Sequence, residues 1–211
     1  MRLMILDDHP ALAQGLAQLL GGASDIRIVG VCRNLDEALE LFPRARPDIV
    51  LCGVMVDGRD GGLDLLRARG SDARFLMYSA YDFPVHYKLA LDGGAAGFIS
   101  KTADPEEVFA AIRRVSDGGT WFPPNILTSA RGARRVPTRR ELQLLTLLAD
   151  GDSNTEIARA MSIGIKTVEG MLRRLFDRYS VENRTQLARL ARQEGWLTTA
   201  LSVAPQLTRR P

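Results

Sequence analysis

Apolar residues recur along this chain in two rhythms. Up to about residue 118, short apolar runs alternate with segments of helical period. LMIL (3–6) is followed by PALAQGLAQLL (10–20), and RIVGVC (27–32) by LDEALELF (35–42). DIVLCG (48–53) precedes LDLLRAR (63–69), RFLMYSA (74–80) precedes PVHYKLALD (84–92), and GFIS (97–100) precedes DPEEVFAAIRRVSDG (104–118). Runs of this length, each followed by an amphipathic stretch, predict five βα units. The strands do not alternate, so both sheet faces are covered. The pattern predicts an α/β doubly wound, five-stranded parallel sheet, with its chemistry outside the carboxyl ends of the strands.

From residue 137 the rhythm is purely helical. PTRRELQLLTLLADG (137–151) opens on a capping-box pattern, Thr138 with Glu141, and stacks Leu142, Leu145 and Leu148 on one face. SNTEIARAM (153–161) opens on a second box, Ser153 with Glu156. After the short turn SIGI comes IKTVEGMLRRLFDRY (165–179), with Val168, Leu172, Leu175 and Tyr179 on its inner stripe. ENRTQLARLARQEGW (182–196) has Asn183 and Gln186 at capping positions, and Gly151 and Gly195 close helices. This predicts a small all-α four-helix domain. Between the halves, GGTWFPPNILTSARGARRV carries Gly-Gly, Pro-Pro and an arginine cluster, a linker signature. The expected organisation is 1–118, a linker over 119–136, 137–197, and a tail over 198–211. Trp121 and Phe122 are too apolar for water and are expected to dock on a domain. Arg131, Arg134 and Arg135 either touch phosphate nonspecifically or form a solvated tether.

Charge sharpens the division. Residues 1–130 hold 13 Lys/Arg against 17 Asp/Glu, and residues 131–211 hold 15 against 8. An acidic front and a basic back imply different partners, the back being the half suited to polyanions. No apolar run is long enough to cross a membrane, and the N-terminus makes a poor signal peptide. Cys32 and Cys52 form neither a disulfide framework nor a metal pattern. A cytoplasmic protein is expected.

The strand ends of the front half carry Asp7 and Asp8, then Gly53, Ser79 and Lys101. Two carboxylates, a hydroxyl and a lysine therefore converge on one pocket. This layout, carried by LDDHP, DIVLCGVMVDGRDGG, MYSAYD and AAGFISK, resembles the receiver domain of bacterial response regulators. The resemblance implies that the acidic pair holds Mg²⁺ and that an aspartate at the mouth of the third strand accepts a phosphoryl group. It implies that Ser79 and Lys101 bond the phosphate, and that Phe98 matches the switch aromatic.

This chain departs from that pattern at Gly53, which cannot form an acyl phosphate and removes one carboxylate from the metal shell. Two carboxylates plus water make a weak Mg²⁺ site, so no cofactor is expected beyond weak residual cation binding at Asp7 and Asp8. One of that pair can instead cap the following helix, and Lys101 can pair with Asp8 to neutralise a buried carboxylate. Ser79 can simply bond nearby backbone, and Phe98 can simply be core. Asp57 and Asp60 are either substitute acceptors or ordinary loop acids that favour solubility and turns. Cys52, beside the vacant position, is expected to be inert packing rather than a redox sensor.

In the back half, TRRELQLLTLLADGDSNTEIARAMSIGIKTVE and NRTQLARLA resemble the LuxR-type DNA-binding domain, a helix-turn-helix. With the front half, almost the whole chain is similar to response regulators of the NarL/FixJ type. The helix 165–179 turns Lys166, Thr167, Glu169, Gly170, Arg173 and Arg174 outward. The resemblance places Lys166 and Thr167 at phosphate or base contacts, and Glu169, Gly170 and Arg173 at base-reading positions. Arginine takes guanine through two bonds and glutamate accepts from cytosine N4. Arg178 and Arg184 are expected at phosphates. Gly164 stands where the family often has a capping serine, and Met171 where it often has histidine.

One recognition helix buries modest surface, so a homodimer on two half-sites of double-stranded DNA is expected. Leu187, Leu190 and Ala191, with Trp196 and Leu197 beyond, are the candidate dimer face, and packing within the head is the alternative. The expected function is a transcription regulator acting without aspartate phosphorylation. The alternatives are phosphorylation at Asp57, control by a protein partner or ligand on the front domain, or an interaction module with secondary DNA binding. No nucleophile–base pair or phosphate-cradling glycine loop supports an enzyme.

Overall fold

The computed structural model describes residues 1–58, 60–80, 83–124, 126 and 135–197. The chain forms two compact units, Met1–Arg131 and Gly132–Pro211. In the first, β1 (Arg2–Leu6), β2 (Arg27–Cys32), β3 (Ile49–Gly53), β4 (Arg74–Ser79) and β5 (Gly97–Ser100) pair in parallel in the order β2-β1-β3-β4-β5. The helices between and after them are α1 (Pro10–Gly21), α2 (Leu35–Ala45), α3 (Gly61–Arg69), α4 (Pro84–Asp92) and α5 (Pro105–Ser116). Prolines at the first turns of α1, α4 and α5 fit positions where a missing N–H costs no helix bond.

Two apolar layers sandwich the sheet. Ala13, Leu16 and Leu20 of α1 join Val108, Ile112 and Val115 of α5 over Leu3, Ile5, Ile49 and Leu51. Phe42 of α2, Leu63 and Leu66 of α3 and Tyr87 of α4 cover Met4, Leu6, Val50 and Met77 on the other face. β3, buried along its length, carries apolar side chains to both layers.

The joint after α5 belongs in part to the first unit. The Trp121 N–H donates to the Ala96 carbonyl at 3.1 Å, and the Phe98 N–H donates to the Trp121 carbonyl at 2.7 Å. Trp121 thus forms a parallel bridge to Gly97 at the β5 edge, and Trp121 and Phe122 each pack on one apolar layer. Arg131, Arg134 and the tail 198–211 lie outside the described residues.

The second unit holds α6 (Arg139–Ala149), α7 (Asn154–Ala160), α8 (Ile165–Tyr179) and α9 (Arg184–Gln193). Both capping boxes form, Thr138 with Glu141 and Ser153 with Glu156. The Asn183 side chain caps α9 through the Gln186 N–H at 3.0 Å. Gly151 and Gly195 take φ of +96° and +76° just after α6 and α9, a conformation that costs glycine little. Trp196 is fully buried and packs tilted against Tyr179, with ring centres 4.7 Å apart and planes at 42°.

Candidate functional site

The first candidate site lies at the carboxyl ends of β1, β3, β4 and β5. Asp7 follows β1 and is 1% exposed. Its Oδ2 pairs with Lys101 Nζ at 2.5 Å, and its Oδ1 accepts the His9 N–H at 3.0 Å. The expected partner of Lys101 was Asp8, and the geometry corrects this to Asp7. The reason is that the Lys101 N–H is fixed on the Ser79 carbonyl at 2.7 Å, beside the buried end of the sheet. From β5 the lysine reaches β1 across the end of β3, where Gly53 presents no side chain. Its ammonium also stands 5.8 Å from the Tyr78 ring centre. Burial, and next the Asp7 charge, push the Tyr78 phenol above its ordinary range.

Asp8 is more exposed, and its Oδ2 accepts the Asp57 N–H at 2.9 Å. His9, between the two acids, has Nδ1 at 3.1 Å from Asp7 Oδ1 and 2.9 Å from Asp8 Oδ1. Neither aspartate caps α1. The N-cap position is His9, without a side-chain cap bond, so the expected capping role is corrected. Sequence reasoning assigns no role to His9, although LDDHP sets it directly beside the acidic pair.

The end of β3 at Gly53 is not an open hole. A Cβ on Gly53 would stand 3.2 Å from the Met55 carbonyl oxygen, 3.4 Å from that of Leu6 and 3.5 Å from Val56 Cγ2. Val54 and Val56 are 1% and 2% exposed, so the following loop folds inward. The Gly62 N–H donates to the Val54 carbonyl at 3.3 Å, and a Cβ on Gly62 would fall 1.8 Å from the Gly53 oxygen. Glycine at 62 lets the start of α3 close on the strand end. Asp57 is exposed, with φ of +54°, a turn conformation that aspartate tolerates. Asp60, expected to be a loop acid in solvent, is instead 3% exposed, drawn in by the bridge between Val56 and Asp60.

Ser79 is buried at the end of β4, and Phe98 is buried with its ring edge-on to Tyr87 at 4.6 Å. Cys52 is fully buried, its Sγ donating to the Gly53 carbonyl at 3.5 Å. Burial above all, then the Asp7 charge, pushes its thiol far above the ordinary range, so it holds its proton.

Donor atoms of Asp7, Asp8 and His9 lie within 4.8 Å of one another. Mg²⁺ nonetheless does not fit this arrangement. It needs near-octahedral oxygen ligation, and here Asp7 is taken by Lys101 and the His9 N–H, Asp8 keeps only Oδ1 beside the His9 ring while its Oδ2 accepts the Asp57 N–H, and Gly53 offers no carboxylate.

The second candidate site is the outer face of α8. Val168, Met171, Leu172, Leu175 and Tyr179 are buried, while Lys166, Thr167, Glu169, Arg173 and Arg174 are exposed and Gly170 is half-buried. Gly164 is the N-cap and supplies no side-chain bond. The two expected phosphate arginines have work inside the unit. Arg178 Nη1 lies 2.9 Å from Glu141 Oε1 and 3.0 Å from Oε2. Arg184 Nη2 donates to the Asp152 carbonyl at 2.6 Å, just past the end of α6. Burial pushes the Glu141 carboxyl up, but the Arg178 bond and the Thr138 N–H and hydroxyl outweigh it and hold the group below its ordinary range. Sequence spacing gives the capping box but not the arginine.

Leu187 and Ala191 are fully buried, as is Trp196, and they belong to the core of the unit rather than to an outer dimer face. A domain this small uses nearly every large apolar side chain for its own core. Leu190 and Leu197 keep part of their surface.

A parallel α/β unit with an acid–lysine pocket, followed by a helix-turn-helix unit, defines a two-part signalling regulator. Residues 3–113 match the response regulator receiver domain, and residues 136–191 match the bacterial regulatory proteins of the luxR family. The chain is 33% identical over 193 residues to the transcriptional regulatory protein UhpA of Escherichia coli, covering 91% of this chain and 97% of that protein. It is 29% identical to the response regulator protein VraR of Staphylococcus aureus, covering 88% and 93% respectively. A crystal structure of the response regulator ChrA of a heme-sensing two-component system superposes with a TM-score of 0.53 at 26% identity, covering 92% and 98%. The chain therefore belongs to the luxR-family response regulators, which are DNA-binding transcription regulators and not enzymes. No helix among the described residues is long and apolar enough to cross a membrane.

Proposed function

We propose that this regulator binds double-stranded DNA as a homodimer in the cytoplasm, and that it does so without phosphorylation at position 53. The observation that carries this reading is the Lys101–Asp7 pair laid across the end of β3. The lysine that would meet an incoming phosphate is already neutralised by a buried carboxylate. The ordering that a phosphate would impose is instead held by internal bonds, including that of Asp8 to the Asp57 N–H. The signal then comes from the amount of protein, a protein partner or a small ligand on the receiver unit, any of which acts only by binding two states unequally.

On the DNA side, α8 enters the major groove. Lys166 and Thr167 hold the backbone near its start, and Arg174 neutralises a phosphate. Glu169 and Arg173, one helical turn apart and both exposed, read base edges. Of the apolar residues on and after α9 considered for the dimer face, Leu190 and Leu197 keep surface for a second copy.

The test is selection from a random DNA pool with untreated full-length protein at a stated salt concentration. The expected outcome is a palindrome with half-sites about one helical turn apart. Arg173→Ala then relaxes one position per half-site, a loss of roughly 1–3 kcal/mol in discrimination. Enrichment that appears only after acetyl phosphate treatment, with a matching gain in mass, refutes the reading and points to Asp57 as the acceptor.

A further inference from the structure

The start of α6 carries charge that the reading of α8 leaves unused. Arg139 and Arg140 stand in the first turn of α6, and Arg135 in the stretch of chain just before it. All three are exposed, and none of their side chains has an ion-pair or hydrogen-bond partner among the described residues. Two contacts set this corner against the last turn of α8. The Tyr179 hydroxyl donates to the Arg135 carbonyl at 2.7 Å. The Arg178 guanidinium lies 2.9 Å from Glu141 Oε1, on the same turn as Arg139 and Arg140. Residues four apart on a helix are neighbours, so Lys166, Arg174 and Arg178 fall in one row along α8, with Gly170 between the first two. Arg178 ends that row and joins it to the corner. The acids of these two turns are Glu141, already engaged by Arg178 and Thr138, and the exposed Asp177. The arginines outnumber them, and the corner is cationic.

We propose that Arg135, Arg139 and Arg140 form a second DNA-contacting surface, which grips the phosphate backbone flanking each half-site and is held in line with α8 by Tyr179 and the Arg178–Glu141 pair. The inference rests on the reading of α8 as the DNA-binding helix, and extends it to residues outside that helix. Fifteen residues make α8 about 22 Å long, against a major groove roughly 12 Å wide. With the N-terminal residues of α8 on base edges, its last turn lies beyond the groove, over the backbone that walls it. The corner continues the cationic row of α8, so a duplex lying along Lys166 and Arg174 brings its next phosphates here. Guanidinium groups suit phosphate oxygens, which they bind through paired N–H donors. Contacts of this kind fix position and add affinity without reading sequence.

The experiment measures affinity against salt concentration for the full-length protein on the site it selects. The parent is compared with the triple variant Arg135→Ala/Arg139→Ala/Arg140→Ala and with the same three positions changed to lysine. Thermal melts check that both fold. Each phosphate contact contributes about 0.9 to the slope of log affinity on log salt. The alanine variant is therefore expected to lose about 1.8 of slope for every one of the three positions that meets a phosphate in both heads. It selects the parent's motif and protects a shorter flank in a footprint, while the lysine variant keeps most of the slope. Tyr179→Phe removes the hydroxyl and leaves the charge, and is expected to lose the share that belongs to Arg135. The proposal is overturned if the alanine variant keeps the parent's slope, or if lysine loses as much slope as alanine. An unchanged slope with loss of transcription would assign the corner to a protein and overturn it equally. If the parent enriches no sequence at all, the DNA reading of α8 has failed. That failure is separate from a parent that selects DNA but whose slope ignores the three arginines.

Discussion

Substituting Gly53→Asp adds a carboxylate at the end of β3, and the surroundings set the outcome. The first atom added, Cβ, arrives 3.2 Å from the Met55 oxygen and 3.4 Å from the Leu6 oxygen, both backbone atoms that cannot swing away. Overpacking of this kind costs about 1–3 kcal/mol. The carboxylate then enters beside the Asp7 carboxylate, whose counter-charge is already used by Lys101. Two like charges about 5 Å apart at an effective dielectric near 20 repel by about 3 kcal/mol. Sharing of Lys101 offsets part of this, so we expect a total loss of about 3 kcal/mol without metal. Gly53→Ala keeps only the steric part and is expected to lose about 1 kcal/mol. For a unit of this size each kcal/mol moves the melting temperature by roughly 4 °C, so the expected drops are about 12 °C and about 4 °C respectively. Trp121, docked on the first unit, and Trp196, buried in the second, are the two tryptophans of the chain and report the units separately by fluorescence. Millimolar Mg²⁺ is expected to recover part of the Gly53→Asp loss, because a third carboxylate builds a site that the folded state binds, and to leave the parent unmoved. The reasoning is refuted if the aspartate variant melts with the parent in the absence of metal and takes up phosphate from acetyl phosphate. The loop from Val54 to Asp60 would then not be packed against a bare position.

Two further predictions concern the second unit. Folding holds the Glu141 carboxyl below its ordinary value of 4.5, so its network with Arg178 and Thr138 stabilises the unit above that pH and is lost as pH falls through the lower folded value. Glu141→Gln is expected to lower stability at neutral pH by about 1 kcal/mol and to flatten the acid side of the Trp196-detected melting profile. An unchanged acid slope sinks the assignment. Leu187→Ala, at a fully buried position, is expected to destabilise the unit by about 2–5 kcal/mol. A variant of normal stability that is merely monomeric would return Leu187 to the dimer face.

The sequence alone determined what depends on near neighbours along the chain. Short apolar runs such as IVLCG and GFIS, each followed by a helix-period segment, are legible as strands, and the hydroxyls and amide at Thr138, Ser153 and Asn183 satisfy helix N–H groups three residues away. Parallel βα order then brings the strand ends together, which is why Asp7, Ser79 and Lys101 are legible as one pocket from the order of the residues. The same local periodicity shows the outward row on α8. What only the tertiary structure decided involves partners far apart in sequence. Which aspartate takes Lys101 depends on how deeply each is buried and on the path that Gly53 leaves across β3. The inward loop, and with it the burial of Asp60, depends on how closely α3 approaches the end of β3 at Gly62. Arg178 meets Glu141 across 37 residues, a bond within the unit that spacing along the chain does not show. Leu187, Ala191 and Trp196 are equally fit by pattern for a core or a dimer face, because periodicity shows that a side must be covered but not by what. A unit this small resolves that choice by spending its apolar side chains on itself.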